Sequence, residues 1–356
     1  MKRRPRSVAP PPDTIRGRLL DWYREAKRPL PWRETCDPYA IWVSEVMLQQ
    51  TRVETVIPYY HAFLARFPDV AALADAPEDD VMSLWSGLGY YRRARLLQAG
   101  ARAVVARHGG TVPGDPQSRR SLPGVGRYTA GAIGSIAFGL EEPVVDGNVA
   151  RVLSRLDGLD HDPASPAGQR ALWERATELV RGDSPGDLNQ ALMELGAVVC
   201  LPRDPRCQRC PLSDLCVALE TGRVGELPRR RRRRPPTLIE EVAAVATDDE
   251  RVALVRRDAP GLFGGLWQLP RADGHGIEAA RRAHGTLGAS DHDALSRAGD
   301  VERLLTHRRI RVEIWRAPLP RTLPPDAALF AHRELRSVGV SSFTRAILDV
   351  VIPRSD

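Results

Sequence analysis

Six consecutive arginines, Arg229 to Arg234, stand between Pro228 and Pro235 in the stretch GELPRRRRRRPP. Like charges repel, and this run offers no apolar surface to bury, so no core can pass through it. The chain must fold as separate bodies on either side. Its 356 residues agree, being more than one core usually serves. We place an Arg/Pro-rich linker at residues 226–237, a first domain at 13–225 and a second at 238–356. A basic tether of this kind either stays solvated or touches phosphate groups, and composition leaves both open.

The two sides differ in texture. Ahead of the linker, apolar residues recur at three and four, as in Ile15, Leu19, Trp22/Tyr23 and Ala26, and again in Val53, Val56/Ile57, Tyr60, Phe63/Leu64 and Phe67. That period predicts helices, cut to ordinary length by breakers such as Pro58, Pro68, Pro77, Pro113 and Pro123. Beyond the linker come short β-like runs, Glu240 to Ala246, Val252 to Val255, Val301 to Leu305 and Ile310 to Trp315. Helical stretches near Glu278 to Leu287 and Ser341 to Val351 complete a smaller α+β domain.

Composition narrows the class of partner. No run approaches the length of apolar chain that spans a bilayer, which predicts a protein without a membrane partner. The opening MKRRPRSVAPPP is basic, then proline-rich, and lacks the apolar core of a secretory signal, so residues 1–12 read as a disordered basic arm. A net charge of +7 favours polyanions, although an arginine-rich composition halves the weight of that inference. Five cysteines, four of them clustered and Cys36 apart, do not make a disulfide framework in so long a chain. A reducing, cytoplasmic setting suits them.

Three local patterns carry chemistry. Cys200, Cys207, Cys210 and Cys216 follow C-x6-C-x2-C-x5-C, four soft thiolates close enough to wrap one centre, which spacing alone leaves as iron-sulfur or zinc. Arg203, Arg206 and Arg209 make that loop positive. In LPGVGRYTAGAIGSIAF, Leu122, Gly124 and Gly126 mark a tight turn between two helices over about 115–138. Amides at such a turn can hold a phosphate, or the glycines can serve close helix packing alone. Asp146, in PVVDGNVARVLSRL, precedes a periodic helix that Asn148 could cap equally well. With one cap spare, a carboxylate near helix N–H groups should stay ionised and suit a cation. Glu45, in DPYAIWVSEVMLQQTRVETV, has large apolar flanks. It should be desolvated and protonated near neutrality, as a general acid requires, unless an arginine pairs with it.

SEVMLQQT, GLGYY, LPGVGRYTAGAI, VVDGNVARVL and the cysteine loop, in this order, closely resemble the adenine DNA glycosylases of the MutY type, members of the helix-hairpin-helix glycosylase superfamily. The resemblance covers nearly the whole chain. It implies a multidomain protein, an all-α helix-hairpin-helix glycosylase domain with a 4Fe-4S loop followed by a smaller α+β Nudix-like domain. It implies base excision repair by a monomer acting on double-stranded DNA with adenine opposite 8-oxoguanine or guanine. Glu45 then corresponds to the acid that protonates adenine, and Asp146 to the carboxylate that stabilises, or transiently captures, the positive sugar carbon. Gln50 and Tyr90 correspond to wedge residues that hold the opened duplex, with Arg92, Arg93 and Arg95 available to flanking phosphates. Arg33, Tyr128, Asn148 and Glu194 correspond to pocket positions. Tyr128 stands where related lyases carry a lysine, and a phenol cannot form their Schiff base, so a monofunctional glycosylase is implied. In the second domain, GLFGGLWQLP resembles the Nudix-like segment, while ADGHGIEAARRAHGTLG lacks the clustered glutamates that hold magnesium. Thr306 and His307 fall where the family contacts 8-oxoguanine. Leu305 replaces an aromatic residue there, which bears on discrimination between the oxidised and normal base.

Overall fold

A computed structural model describes residues 11–229, 235–256, 265–289, 294–305, 308–336 and 338–352. Most of the arginine run, residues 1–10 of the arm, and Thr306 and His307 lie outside these. The described residues divide into two compact units, one within Met1–Asp75 and Leu96–Arg232, the other within Ala76–Arg95 and Arg233–Asp356.

The first unit is helical, as the apolar period predicts. Its chain opens with α1 (Pro12–Ala26), α2 (Pro38–Leu48), α3 (Val53–Arg66) and α4 (Val70–Asp75). Then α5 (Glu78–Leu84) belongs to the second unit, and α6 (Arg92–His108) contains the boundary. The remainder is α7 (Pro116–Arg120), α8 (Arg127–Phe138), α9 (Gly147–Leu156), α10 (Pro166–Val180), α11 (Pro185–Val198) and α12 (Val217–Glu220). Pro12 takes the first position of α1, where its missing N–H costs nothing, so helix begins inside the stretch expected to be a disordered arm. Pro58, expected to break a helix, sits inside α3. Burial of Val56, Tyr60 and Phe63 on its inner face outweighs the one hydrogen bond that proline removes.

Ile15 and Leu19 of α1, Leu153 of α9, Leu172 of α10 and Leu188 and Leu192 of α11 share one core. Helix α8 packs against both α2 and α11, which sets α2, α8, α9 and α11 around a common space. The turn between α7 and α8 is the expected hairpin. Asp115 caps α7 through Ser118 N at 2.7 Å, and Gly124 turns the chain at φ +76°. A side chain at Gly124 would also strike Leu96 Cβ at 2.7 Å, so both conformation and space demand glycine there.

The second unit has the expected α+β architecture. Its strands are β1 (Thr237–Ala246), β2 (Arg251–Arg256), β3 (Trp267–Gln268), β4 (Arg271–Asp273), β5 (Ser296–Leu305), β6 (Arg308–Ala317) and β7 (Ala327–Ala331). A four-stranded sheet runs β4-β1-β6-β5, with β1 and β6 parallel, and a three-stranded sheet runs β3-β2-β7. Helix α13 (Gly276–Gly285) sets Ala279 and Ala280 on Val242, and helix α14 (Ser342–Val351) sets Phe343 and Ile347 among Val252, Leu254, Val312 and Ile314. Residues 76–95, which sequence places in the helical domain, join this unit by specific bonds. The Ser86 and Tyr91 hydroxyls both donate to Val340 O, at 2.9 and 3.2 Å, and Arg256 pairs with Asp79 at 2.6 Å. Among the described residues no helix is long and apolar enough to cross a membrane.

Candidate active site

A cavity of about 540 Å³ opens in the first unit where α2, α8, α9 and α11 meet, ample for one heterocyclic base. Its walls include Glu45, Tyr128, Asp146, Asn148 and Glu194, so folding gathers carboxylates far apart in sequence.

Helix α2 is buried on every side from Tyr39 to Met47, which is why Glu45 has lost its water. Only 4% of it is exposed. Burial pushes its pKa from 4.5 up to about 7, against the opposing hydrogen bond from Tyr128, and the charge of Asp146 adds to the rise. The Tyr128 hydroxyl donates to Glu45 Oε2 at 2.6 Å. No arginine forms an ion pair with Glu45 among the described residues, so the acid reading of its apolar flanks stands over the paired one.

Asp146 is the N-cap of α9, its Oδ1 accepting Val149 N at 2.7 Å. Asn148 is therefore not the cap. It donates to Asp146 Oδ2 at 3.1 Å, while its own Oδ1 accepts from Arg151 at 2.9 Å. Arg151 reaches onward to Gly196 O at 2.8 Å and Cys200 O at 2.7 Å, tying the carboxylate's holder to the cysteine loop. The expectation that helix amides would set the charge state of Asp146 needs correction. Burial raises its pKa by more than the Val149 and Asn148 amides and Arg151 lower it.

Glu194 is not a free pocket carboxylate. Arg28 grips it with Nε at 2.7 Å and Nη2 at 2.9 Å, and Arg33 adds a bond of 2.8 Å. Burial alone would lift its pKa, but the two guanidiniums outweigh burial and hold it at about 2. Arg28 went unnoticed in the sequence, as did Trp32, Gln49, Gln190 and Met193, which line the same cavity. Only the fold reveals Arg28, whose partner lies 166 residues away; no local pattern marks it.

Gln50 lies at the cavity mouth, exposed, with φ +60°. Tyr90, in the other unit, is 48% exposed with φ +50°. Both are non-glycine residues in the left-handed region, a strained conformation that concentrates at functional positions. The arginines after Tyr90 differ from expectation. Arg93 folds back to the Leu88 and Gly89 carbonyls and Arg95 pairs with Glu78, because both face their own unit; Arg92 is exposed.

In the hairpin, the Leu122 side chain is buried and its amide donates to Arg119 O, so it is spoken for. Gly126 precedes α8 with open space where a Cβ would stand. The four cysteines lie on turns at the end of α11 and before α12, where Cys200, Cys210 and Cys216 pack against the helical core. Arg155 donates to Cys200 Sγ at 3.4 Å, and burial raises the Cys210 thiol to about 12, with the other three sulfurs adding. All four thus lie close enough for their charges to interact. No three metal-ligating side chains among the described residues sit as a single ion requires; a four-iron cluster holds its thiolates further apart.

Residues 43–178 match the HhH-GPD superfamily base excision DNA repair protein family. The chain is 37% identical to the human adenine DNA glycosylase, across 94% of this chain and 73% of that protein. It is 39% identical to the adenine DNA glycosylase of Arabidopsis thaliana, across 72% of this chain and 47% of that one. In structure, 59% of the chain superposes on 97% of a thermostable thymine-DNA glycosylase, with a TM-score of 0.55 and 32% identity. Identity of this extent, running through both units, makes the chain a member of the adenine DNA glycosylase family, DNA N-glycosylases of base excision repair.

Proposed function

We propose that this chain hydrolyses the N-glycosidic bond of adenine opposite 8-oxoguanine or guanine in double-stranded DNA and leaves an abasic site. The observation that carries the mechanism is Glu45, buried in a base-sized cavity beside Asp146 with a pKa of about 7. Adenine leaves poorly as an anion. A proton delivered to its ring by Glu45 lets the bond to the sugar break through an oxocarbenium-like state, as in glycoside hydrolysis. Asp146, fixed by Val149 N and Asn148, faces the cation that forms, and water completes hydrolysis. Tyr128 offers no amine, which supports a monofunctional enzyme.

The base must first leave the stack, and Gln50 and Tyr90 wedge the duplex while the hairpin amides at Gly124 and Gly126 hold backbone phosphate. Arg33, Arg28 and Glu194 shape the far wall of the pocket. In the second unit Thr306 and His307 read the oxidised base, a role resting on sequence alone since both lie outside the described residues. Adenine is favoured over thymine because the thymine-DNA glycosylase likeness takes in 59% of this chain, the human adenine enzyme 94%. Cys200, Cys207, Cys210 and Cys216 fit a 4Fe-4S cluster, which supplies a rigid, positively charged loop with Arg203, Arg206 and Arg209 rather than a reaction step. We place the protein as a monomer on the nucleoid of a reducing cytoplasm.

Incubating duplexes that pair adenine with 8-oxoguanine, guanine, cytosine or thymine, followed by alkali, tests the reading. Strand breaks at adenine opposite the first two are expected, and equal release opposite all four sinks it. Protein purified without air should carry iron and sulfide; stoichiometric zinc in their place excludes the cluster.

A further inference from the structure

Arg127, the first residue of α8, lies face-on against Trp173 of α10, its guanidinium carbon 3.8 Å from the ring centroid. Other arginine–aromatic contacts among the described residues, such as those of Arg66, Arg93 and Arg33, stand off by 5.2 Å or more, so this one is a true stack. Trp173 is itself fixed, 8% exposed, with Nε1 donating to Gln169 one turn earlier at 3.2 Å. A guanidinium satisfied on its face keeps its N–H edge for a planar or tetrahedral anion. Among the described residues no carboxylate forms an ion pair with Arg127. Glu174 and Glu178 line the same groove, but Glu178 is held by Arg175 at 3.0 Å.

Arg120, at the end of α7, sits on the opposite arm of the hairpin. Burial first, and then the charge of Arg120, lowers the pKa of Arg127. Two positive charges near one another are mutually unfavourable, and an anion bound by both relieves that repulsion.

We propose that Arg127, stacked on Trp173 and flanked by Arg120, is a preset seat for one backbone phosphate of double-stranded DNA, separate from the hairpin amides. The stack acts before DNA arrives, removing the freedom that an arginine otherwise loses on binding. The seat rests on the reading that this hairpin faces DNA, and the experiment separates the two.

Affinity for a labelled, undamaged duplex is measured across a salt series for the full chain and for Arg127→Ala, Arg127→Lys and Arg120→Ala, with melting curves confirming folding. Arg127→Ala should weaken binding roughly 5- to 10-fold near ~0.1 M salt and lower the salt slope by about one phosphate. Arg127→Lys should keep the slope but not the affinity, since lysine brings charge without a flat stack. Single-turnover adenine release should fall by a smaller factor than affinity. An unchanged slope in Arg127→Ala overturns the seat, as does a loss confined to the release step. If the unaltered chain releases no adenine yet its salt slope depends on Arg127, the seat stands and the adenine reading falls.

Discussion

Glu45 binds its proton more tightly folded than unfolded, and two consequences follow at the scale of that residue. In its proposed role as proton donor it is competent only while protonated, so base release should decline as pH rises through about 7, and a single-turnover pH profile checks this. The same shift bears on stability. Below about 4.5 both states hold the proton and its burial carries no ionisation penalty; as pH rises through about 7 the folded state must give up a proton that the unfolded chain has already released. Glu45→Gln should therefore raise the melting temperature at pH 8, by a free energy on the order of 3 kcal/mol, with little gain at pH 4. A melting series showing equal gain at both pH values excludes the linkage. Glu45 was legible in the sequence because its apolar neighbours are adjacent in the chain. The clamp on Glu194 was not, since Arg28 becomes its partner only when α1 and α11 pack together.

At the scale of elements, the site depends on how closely helices approach. Gly196 of α11 lies against α9 so tightly that an added Cβ would meet Asn148 Cβ at 2.6 Å. Asn148 cannot yield without moving its hold on Asp146 and on Arg151. Gly196→Ala should cost about 1–3 kcal/mol in stability through overpacking and slow adenine release more than it weakens mismatch binding. Binding and release measured on one duplex decide it, and unimpaired release shows that the carboxylate does not depend on this contact. Long periodic helices and the strands β1, β2, β5 and β6 were readable from apolar spacing. The strands β3 and β4 were not, because two or three residues carry no period. Nor was the hold on Pro58, which depends on burial rather than local preference.

At the scale of the molecule, the proposal gives the two units different parts of one task. The proposed acid Glu45 and the carboxylate Asp146 lie in the first unit, whereas the sequence positions of Thr306, His307 and Tyr90 fall within the second. Replacing Thr306 and His307 together with alanine should leave release opposite guanine within about 3-fold while shrinking the preference for 8-oxoguanine, since on the proposed role only hydrogen bonds to the opposite base would be lost. Comparison of the two duplexes checks it; an undiminished preference moves recognition elsewhere. The arginine run announced the split in advance. It could not announce that residues 76–95 close on the second unit, because that choice rests on bonds to Val340 and Arg256 some 180 to 250 positions later.

The bond from Tyr128 to Glu45 also gives the acid a direction. A neutral carboxyl has one hydroxyl oxygen and one carbonyl oxygen, and a phenol donating to Oε2 reserves that atom as the carbonyl. The mobile proton must then ride on Oε1, so the cavity presents one arrow rather than two interchangeable ends. Once the proton has left, the same phenol steadies the new carboxylate. A lysine at position 128 would instead have favoured Glu45 as a carboxylate from the start, so a phenol, which itself forms no imine, also suits Glu45 to its proposed role as the acid.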